Sequence, residues 1–214
     1  DRGSIAKTVE HLQDGGDRVD VIYSCSKAAI GTQNVNRLNV SDTDGFSIAT
    51  RLTYLPRQVR SLRKNKVNFI SLTPGTAFDH ARSRGGHADE RAILYRMLYD
   101  LPLAQNERRR RLRVGLLNIL QATAGKDNWR AKAKNLPAED LDADLSKAFR
   151  RAVLEDAELY AALKEGCERF ARYRDYSRIP WEDSELRYDL IGKLRSKLAS
   201  VCLSALEPDL VILD

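Results

Sequence analysis

The chain has 214 residues and a formal net charge of +6, with 43% hydrophobic and 31% charged residues. This length suits one large domain, or one domain with a sizeable insertion, and it allows a substantial buried core. No run of 18 apolar residues occurs, so we expect no membrane partner and a cytoplasmic location. Three widely spaced cysteines without a C-x-x-C pair argue against a disulfide framework or a zinc site.

The first part of the chain alternates between helical and strand patterns. In chain order, the predicted elements are a helix over 4–14, a strand over 19–23, a helix over 27–38, a short strand near 49–54, a helix from 56 to about 64 and a strand over 67–72. This alternation is typical of a parallel α/β sheet.

From residue 86 onward the pattern becomes helical. Helical periodicity runs over 87–123, 138–172 and 182–206, with breaks at Gly125 and Pro137. Four apolar residues, Leu-Val-Ile-Leu, then precede Asp214, and this pattern predicts a buried strand that carries a carboxylate to the edge of a sheet.

A single strand after so much helix has to return to the first sheet. The sequence therefore predicts an α/β domain with a large all-helical insertion. The expected parts are residues 1–85, which begin the α/β domain, residues 86–206, which form the insertion, and residues 207–214, which complete the sheet.

Two loops that follow predicted strands have the composition of phosphate-binding segments. Residues 25–35 place small and polar residues where a strand ends and a helix begins, which exposes backbone N–H groups suited to a phosphate. Residues 73–76, Thr-Pro-Gly-Thr, form a turn whose hydroxyls can contact a nucleic-acid backbone. Plain connecting turns explain both patterns as well.

The densest charge run is Arg108–Arg111 with Arg113. The positive charge permits binding to nucleic acid, but Glu107 and Leu112 in the same segment equally suggest a solvated helix face. Four aromatic residues among arginines could stack on bases or pack in the helical core, and core packing is favoured: Phe170, Tyr173, Tyr176 and Trp181.

The chain has no P-loop of the form G-x-x-x-x-G-K-[ST]. Gly125-Lys126 is followed by Asp127, and Gly192-Lys193 is followed by Leu194. The lysine that would hold the β- and γ-phosphates of a nucleotide is therefore missing.

Taken in order, these segments resemble the first RecA-like domain of superfamily-two helicases, most closely the large bacterial SNF2-like helicases associated with phage defence. Residues 2–12 are similar to the helix after the family's P-loop, and residues 209–214 are similar to the start of its Walker B strand. Residues 19–26 and 33–39 are similar to motif Ia, and residues 68–79 are similar to motif Ib. Residues 90–95 also resemble the family's sequence.

The resemblance implies a RecA-like (P-loop NTPase type) parallel sheet, within a nucleic-acid-dependent ATPase that acts as a helicase or translocase. It implies ATP and Mg²⁺ as cofactors, with Asp214 as the catalytic, Mg²⁺-binding residue. It implies DNA or RNA and a second RecA-like domain as partners. The residues implied to hold the nucleic-acid backbone are Thr73, Gly75 and Thr76, helped by Ser26, Lys27, Gln33 and Arg37.

On this view the chain is cut between the two nucleotide-binding motifs, and we expect the isolated chain to hydrolyse no ATP. The competing hypothesis is a non-enzymatic module that binds nucleic acid or protein through the helical block. A small-molecule α/β enzyme is a weaker third option, because no G-x-S-x-G motif is present.

Overall fold

The computed structural model describes residues 7, 11, 19–26, 33–34, 45–48, 51–62, 67–77, 85–103, 106–173 and 179–213. The chain divides into two compact units. The sheet unit comprises Asp1–Ala77 and Cys202–Asp214, and the helical unit comprises Phe78–Val201.

The described part of the sheet unit contains four parallel strands in the order β2-β3-β1-β4. The strands are β1 (Val19–Ser24), β2 (Gly45–Ile48), β3 (Val67–Leu72) and β4 (Leu210–Leu213). The α/β class and the parallel sheet are thus confirmed. Two helices of this unit are described over their whole length, α1 (Leu55–Leu62) and the single turn α2 (Pro74–Ala77), and residues 7, 11, 33 and 34 are also helical.

The two central strands, β1 and β3, are buried over almost their whole length. Continuous burial is typical of parallel strands that are covered on both faces. One face packs Val21 and Tyr23 against Phe69, with Leu210 and Ile212 of β4 at the margin of this cluster. The β-branched and aromatic residues that predicted strands at 19–23 and 67–72 are therefore the core of the sheet.

The prediction of a strand near 49–54 was wrong. The strand β2 ends at Ile48, and Leu52–Tyr54 form a 3₁₀ turn that leads into α1. Leu52 and Leu55 are both buried. Their three-residue spacing places them on one side of a helical turn, whereas side chains of a strand alternate every two residues.

A polar network joins the amino-terminal ends of the strands. The carboxylate of Asp209 accepts a hydrogen bond from the Asp20 backbone N–H at 2.7 Å, and the Asp209 N–H donates to the Asp20 carbonyl at 2.9 Å. The Asn68 side chain donates to the Asp20 carboxylate at 2.7 Å. These bonds fix β3 and β4 in register on either side of β1.

The described residues of the helical unit form six α-helices. They are α3 (Ala88–Leu98), α4 (Asn106–Gln121), α5 (Lys126–Lys134), α6 (Ala143–Glu155), α7 (Ala157–Phe170) and α8 (Trp181–Leu206), of which the last turn of α8 belongs to the sheet unit. No helix among the described residues is long and apolar enough to cross a membrane.

Helix α5 was not predicted from the sequence. Only Trp129 and Ala133 are buried in it, and its other residues, apart from Ala131, are polar or charged. The Trp129 indole N–H donates to the carbonyl of Leu117 in α4 at 2.8 Å. A helix held by two buried residues leaves too weak a periodicity for sequence analysis to detect.

A buried charged cluster ties the start of α3 to α8. The Arg91 guanidinium donates to the carbonyls of Gly85 and Gly86, each at 2.6 Å. Both glycines have positive φ, a conformation that glycine adopts at little cost. Glu90 accepts from the His87 backbone N–H at 2.6 Å and forms an ion pair with Arg195 at 3.1 Å.

Candidate nucleic-acid interface

Three neighbouring strands end side by side at the carboxyl edge of the sheet. Ser24 of β1 lies opposite Leu72 of β3 on one side and opposite Leu213 of β4 on the other. Parallel strands in this register deliver the residues that follow them to one edge. The loops that begin at Cys25 and Thr73 therefore leave the sheet next to each other.

The described residues at this edge differ in exposure. Ser26 and Gly75 are exposed, whereas Thr73 is only 3% exposed. A β-carbon at Gly75 would meet nothing within 4 Å, so a ligand can approach this backbone closely. The Cys25 N–H donates to the Leu72 carbonyl at 3.0 Å, which holds the start of the first loop against the second.

The remaining predicted site residues are described only in part. Gln33 is exposed in a helical segment, and its neighbour Asn34 donates to the Tyr23 hydroxyl of β1 at 2.8 Å. Thr76 lies in the single turn α2, where the sequence predicted a tight turn. The other three lie outside the described residues: Lys27, Arg37 and Asp214.

The described residues alone offer no cluster of side chains for a metal ion. Among them, no group of three or more His, Cys, Asp or Glu side chains could hold a metal ion. Asp20 and Asp209 lie at the amino-terminal edge of the sheet, away from Ser26 and Gly75. The described donor set at the carboxyl edge thus suits a phosphate backbone better than a divalent cation.

The arginine run divides between two faces of α4. Arg113 donates to the carbonyl of Tyr99 at 3.0 Å and lies 3.9 Å from the centroid of its ring. Arg109 and Arg113 also approach the Asp100 carboxylate, at 3.8 and 3.3 Å. These two side chains stabilise the junction between α3 and α4.

The other face of the run borders a cavity of about 550 Å³. Its described lining residues come from α4, from α7 and from the turn that follows α7: Arg108, Arg111, Leu112, Glu168 and Arg172. Arg108 forms an ion pair with Glu168. The hydrogen bond from Arg108 within this pair, together with the positive charges of Lys164 and Arg111, lowers the pKa of the Glu168 carboxyl.

The contribution of α7 to this cavity could not be read from the sequence. Arg108, Arg111 and Leu112 have the spacing of one helix face, which is a local signal. Glu168 lies 60 residues from Arg108, and no local pattern relates the two.

The aromatic set separates into core and surface residues. Phe170 is fully buried, and its ring lies edge-on to that of Tyr173 with centroids 5.6 Å apart. The Tyr173 hydroxyl donates to Asp183. Trp181 is 63% exposed, and Tyr176 lies outside the described residues. Core packing therefore accounts for Phe170 but not for Trp181.

Comparison with protein-family models, with curated proteins and with solved structures gave no match. Function must therefore be argued from the fold and from the chain's own side chains. Two surfaces have chemistry suited to a polyanion: the carboxyl edge of the sheet and the arginine-lined cavity of the helical unit.

Proposed function

We propose that the sheet unit is a RecA-like part of a nucleic-acid-dependent ATPase, acting as a helicase or translocase, and that its carboxyl edge binds a nucleic-acid backbone. The observation that carries this proposal is the common ending of β1, β3 and β4, with Ser24 opposite both Leu72 and Leu213.

The order of the strands supports a ligand site at this edge. After β1 the chain continues to β2 and β3, which lie on one side of β1, whereas β4 lies on the other side. In open α/β sheets, ligands bind outside the carboxyl ends of the strands where the order of connection reverses. The loop at Cys25 and Ser26 follows the strand at that position.

The exposed groups at the edge suit a sugar-phosphate backbone. Ser26 offers a hydroxyl, and the bare backbone at Gly75 allows a phosphate oxygen to come within hydrogen-bonding distance. Thr73 is buried, so we assign it a role in holding the loop rather than in direct contact. Contacts of this kind position a nucleic acid without reading its sequence.

Motors of this class transfer phosphoryl groups by positioning and charge stabilisation, with Mg²⁺ held by an acidic residue. We propose Asp214, which follows β4, for that role. Among the described residues no group of three or more His, Cys, Asp or Glu side chains could hold a metal ion, so no step of hydrolysis is assigned to them.

The test of backbone binding is a charge reversal at the edge. Gly75→Asp adds a carboxylate without steric overlap, and Gly125→Asp, at another glycine with nothing within 4 Å, adds the same charge on the helical unit. We expect Gly75→Asp to weaken binding of fluorescein-labelled DNA and RNA about tenfold in anisotropy titrations, since a phosphate contact is lost and a repulsion is gained. The Gly125→Asp variant should bind like the parent chain. Equal affinities for the two variants would sink the assignment of the edge.

ATP turnover is the second test. We expect the 214-residue chain to release no phosphate from ATP with Mg²⁺, with or without DNA. Reproducible, Mg²⁺-dependent turnover by the chain alone would contradict the expectation that a chain without the P-loop lysine is inactive.

The salt dependence of DNA binding tests the alternative function. Binding that is insensitive to salt would favour an apolar, protein-binding surface.

A further inference from the structure

The cavity between α4 and the end of α7 is a basic groove with an unbalanced charge. Four described cations surround it or lie close to it, namely Arg108, Arg111, Lys164 and Arg172, and Glu168 is the carboxylate among its described lining residues. Four positive charges against one negative charge leave a surplus of three within this described group. We call the five lining residues the α4–α7 groove.

Two arginines of the α4–α7 groove are available to a ligand. Arg111 and Arg172 are exposed, and neither forms an ion pair with another described residue. Arg108 is already bonded to Glu168. An exposed guanidinium offers a planar set of donors that matches two oxygens of one phosphate.

The composition of the groove selects a backbone rather than a base. None of the five described residues that line it is aromatic, and Leu112 at its floor is fully buried. Bases bind to proteins without sequence preference mainly by stacking on aromatic rings. The described lining offers no such platform, and its guanidinium groups suit contact with phosphate.

We propose that the α4–α7 groove binds the phosphodiester backbone of a nucleic-acid strand, independently of base sequence, through Arg111 and Arg172. This inference rests on the proposed function in taking nucleic acid as the ligand. It adds a second contact surface, on the helical unit, to the one proposed at the sheet edge.

The experiment compares two double variants of equal charge in the full chain. Arg111→Gln with Arg172→Gln removes both available guanidinium groups from the groove. The control, Arg110→Gln with Arg130→Gln, removes two exposed arginines that do not line it. Arg110 is a neighbour of Arg111 in the same run, but at 3.6 residues per turn it lies on a different side of α4. Thermal melts establish that all variants are folded.

The readout is the dependence of DNA affinity on salt concentration. The groove variant should lower the slope of log K against log salt by about 2, because each phosphate contact contributes about 1. At 0.1 M salt its affinity should fall by a factor of about 25 to 100, which corresponds to about fivefold to tenfold per contact. The control should change affinity less than about twofold. Equal losses of affinity in the groove variant and the control would show that only overall charge matters and would overturn the proposal. An unchanged slope of log K against log salt in the groove variant would also overturn it.

Two further outcomes separate this proposal from its alternatives. Displacement of bound DNA by a poly-glutamate peptide as effectively as by unlabelled DNA of equal charge would show a general anion surface, and the proposal would fail. If the groove variant weakens binding while Gly75→Asp does not, the groove is upheld and the sheet edge is not. The reverse result upholds the edge and rejects the groove.

Discussion

The backbone of Gly115 in α4 lies directly against the backbone of Cys167 in α7. A β-carbon at position 115 would overlap the carbonyl oxygen of Cys167. No side-chain rotation can relieve an overlap with backbone, so the two helices can approach this closely only because residue 115 is glycine. Because α4 carries Arg108 and Arg111 and α7 carries Glu168, this close crossing also holds the two sides of the groove together.

Gly115→Ala should therefore destabilise the helical unit, although alanine is the better helix former. We expect the free energy of unfolding to fall by about 2 kcal/mol or more, since overpacking outweighs a gain in propensity of about 1 kcal/mol. Urea denaturation measures the change. Gly75→Ala, where nothing lies within 4 Å of the added carbon, is the control and should be close to neutral. If Gly115→Ala stabilises the chain, the backbones of Gly115 and Cys167 are not in the close contact described.

The same helix crossing buries the Cys167 thiol. Burial, with a smaller effect of the negative charge of Glu168, raises the pKa of this thiol far above its ordinary range. Cys167 therefore carries no reactive thiolate in the folded chain through the neutral and mildly alkaline range. We expect no reaction with Ellman's reagent at about pH 8 in the native state, because all three cysteines are buried.

Unfolding in guanidinium chloride should release three reactive thiols per chain. Gly115→Ala offers a matched perturbation, because a forced separation of α4 and α7 should accelerate labelling of Cys167 before that of Cys25. Rapid modification of Cys167 in the unaltered native chain, located by mass spectrometry, would refute its burial.

The Glu90–Arg195 ion pair should be required for stability. The Glu90 side chain is fully buried, and Arg195 is 6% exposed. Removing the negative charge leaves buried guanidinium groups uncompensated, so Glu90→Gln should lower the free energy of unfolding by about 3 kcal/mol. Burial already lowers the pKa of the neighbouring Arg91, and the charge of Glu90 counteracts this effect.

Asp89→Asn is the matched control for Glu90→Gln. Asp89 is the adjacent residue and pairs with Lys132 at 2.5 Å, but both side chains are more than 40% exposed. An exposed pair contributes less than about 1 kcal/mol. If chemical denaturation gives both variants the same midpoint, the buried pair does not stabilise the fold as argued.

Asp156 should make stability depend on acid pH. Its carboxylate accepts a hydrogen bond from Lys197 at 2.6 Å and one from the backbone N–H of Leu159 at 3.0 Å, at the start of α7. These two bonds, that of Lys197 first, lower the pKa of Asp156 below its unfolded value. The stabilisation is thus complete above about pH 4 and is lost as pH falls through the folded pKa.

Asp156→Ala should reduce the free energy of unfolding by about 1 kcal/mol at neutral pH, the usual effect of losing an N-cap. Asp156→Asn retains the cap and removes only the charge, so its free energy of unfolding should lie between those of the parent chain and the Asp156→Ala variant. In urea titrations at successively lower pH, the parent chain should converge on the Asn variant. A constant difference between them down to about pH 2 would rule out the proposed linkage.

Local patterns were sufficient for several parts of the fold. The runs Val19–Ser24 and Val67–Leu72 specify buried strands because β-branched and aromatic residues favour a sheet that is covered on both faces. The leucines of α8 repeat every four residues and predict one long helix. The loops after β1 and β3 were also located from the sequence, because polar residues and turn formers directly follow apolar runs.

Other features depend on contacts that no local pattern encodes. Glu90 and Arg195 are 105 residues apart, and the groove combines Arg111 of α4 with Arg172 beyond α7. The burial of Thr73 likewise depends on the packing around the sheet edge. The sequence by itself determined three of the four described strands, most of the described helices and the chemistry available to each. Only the tertiary structure decided which charges meet and which remain exposed, because pairing across long separations is set by how helices and strands pack.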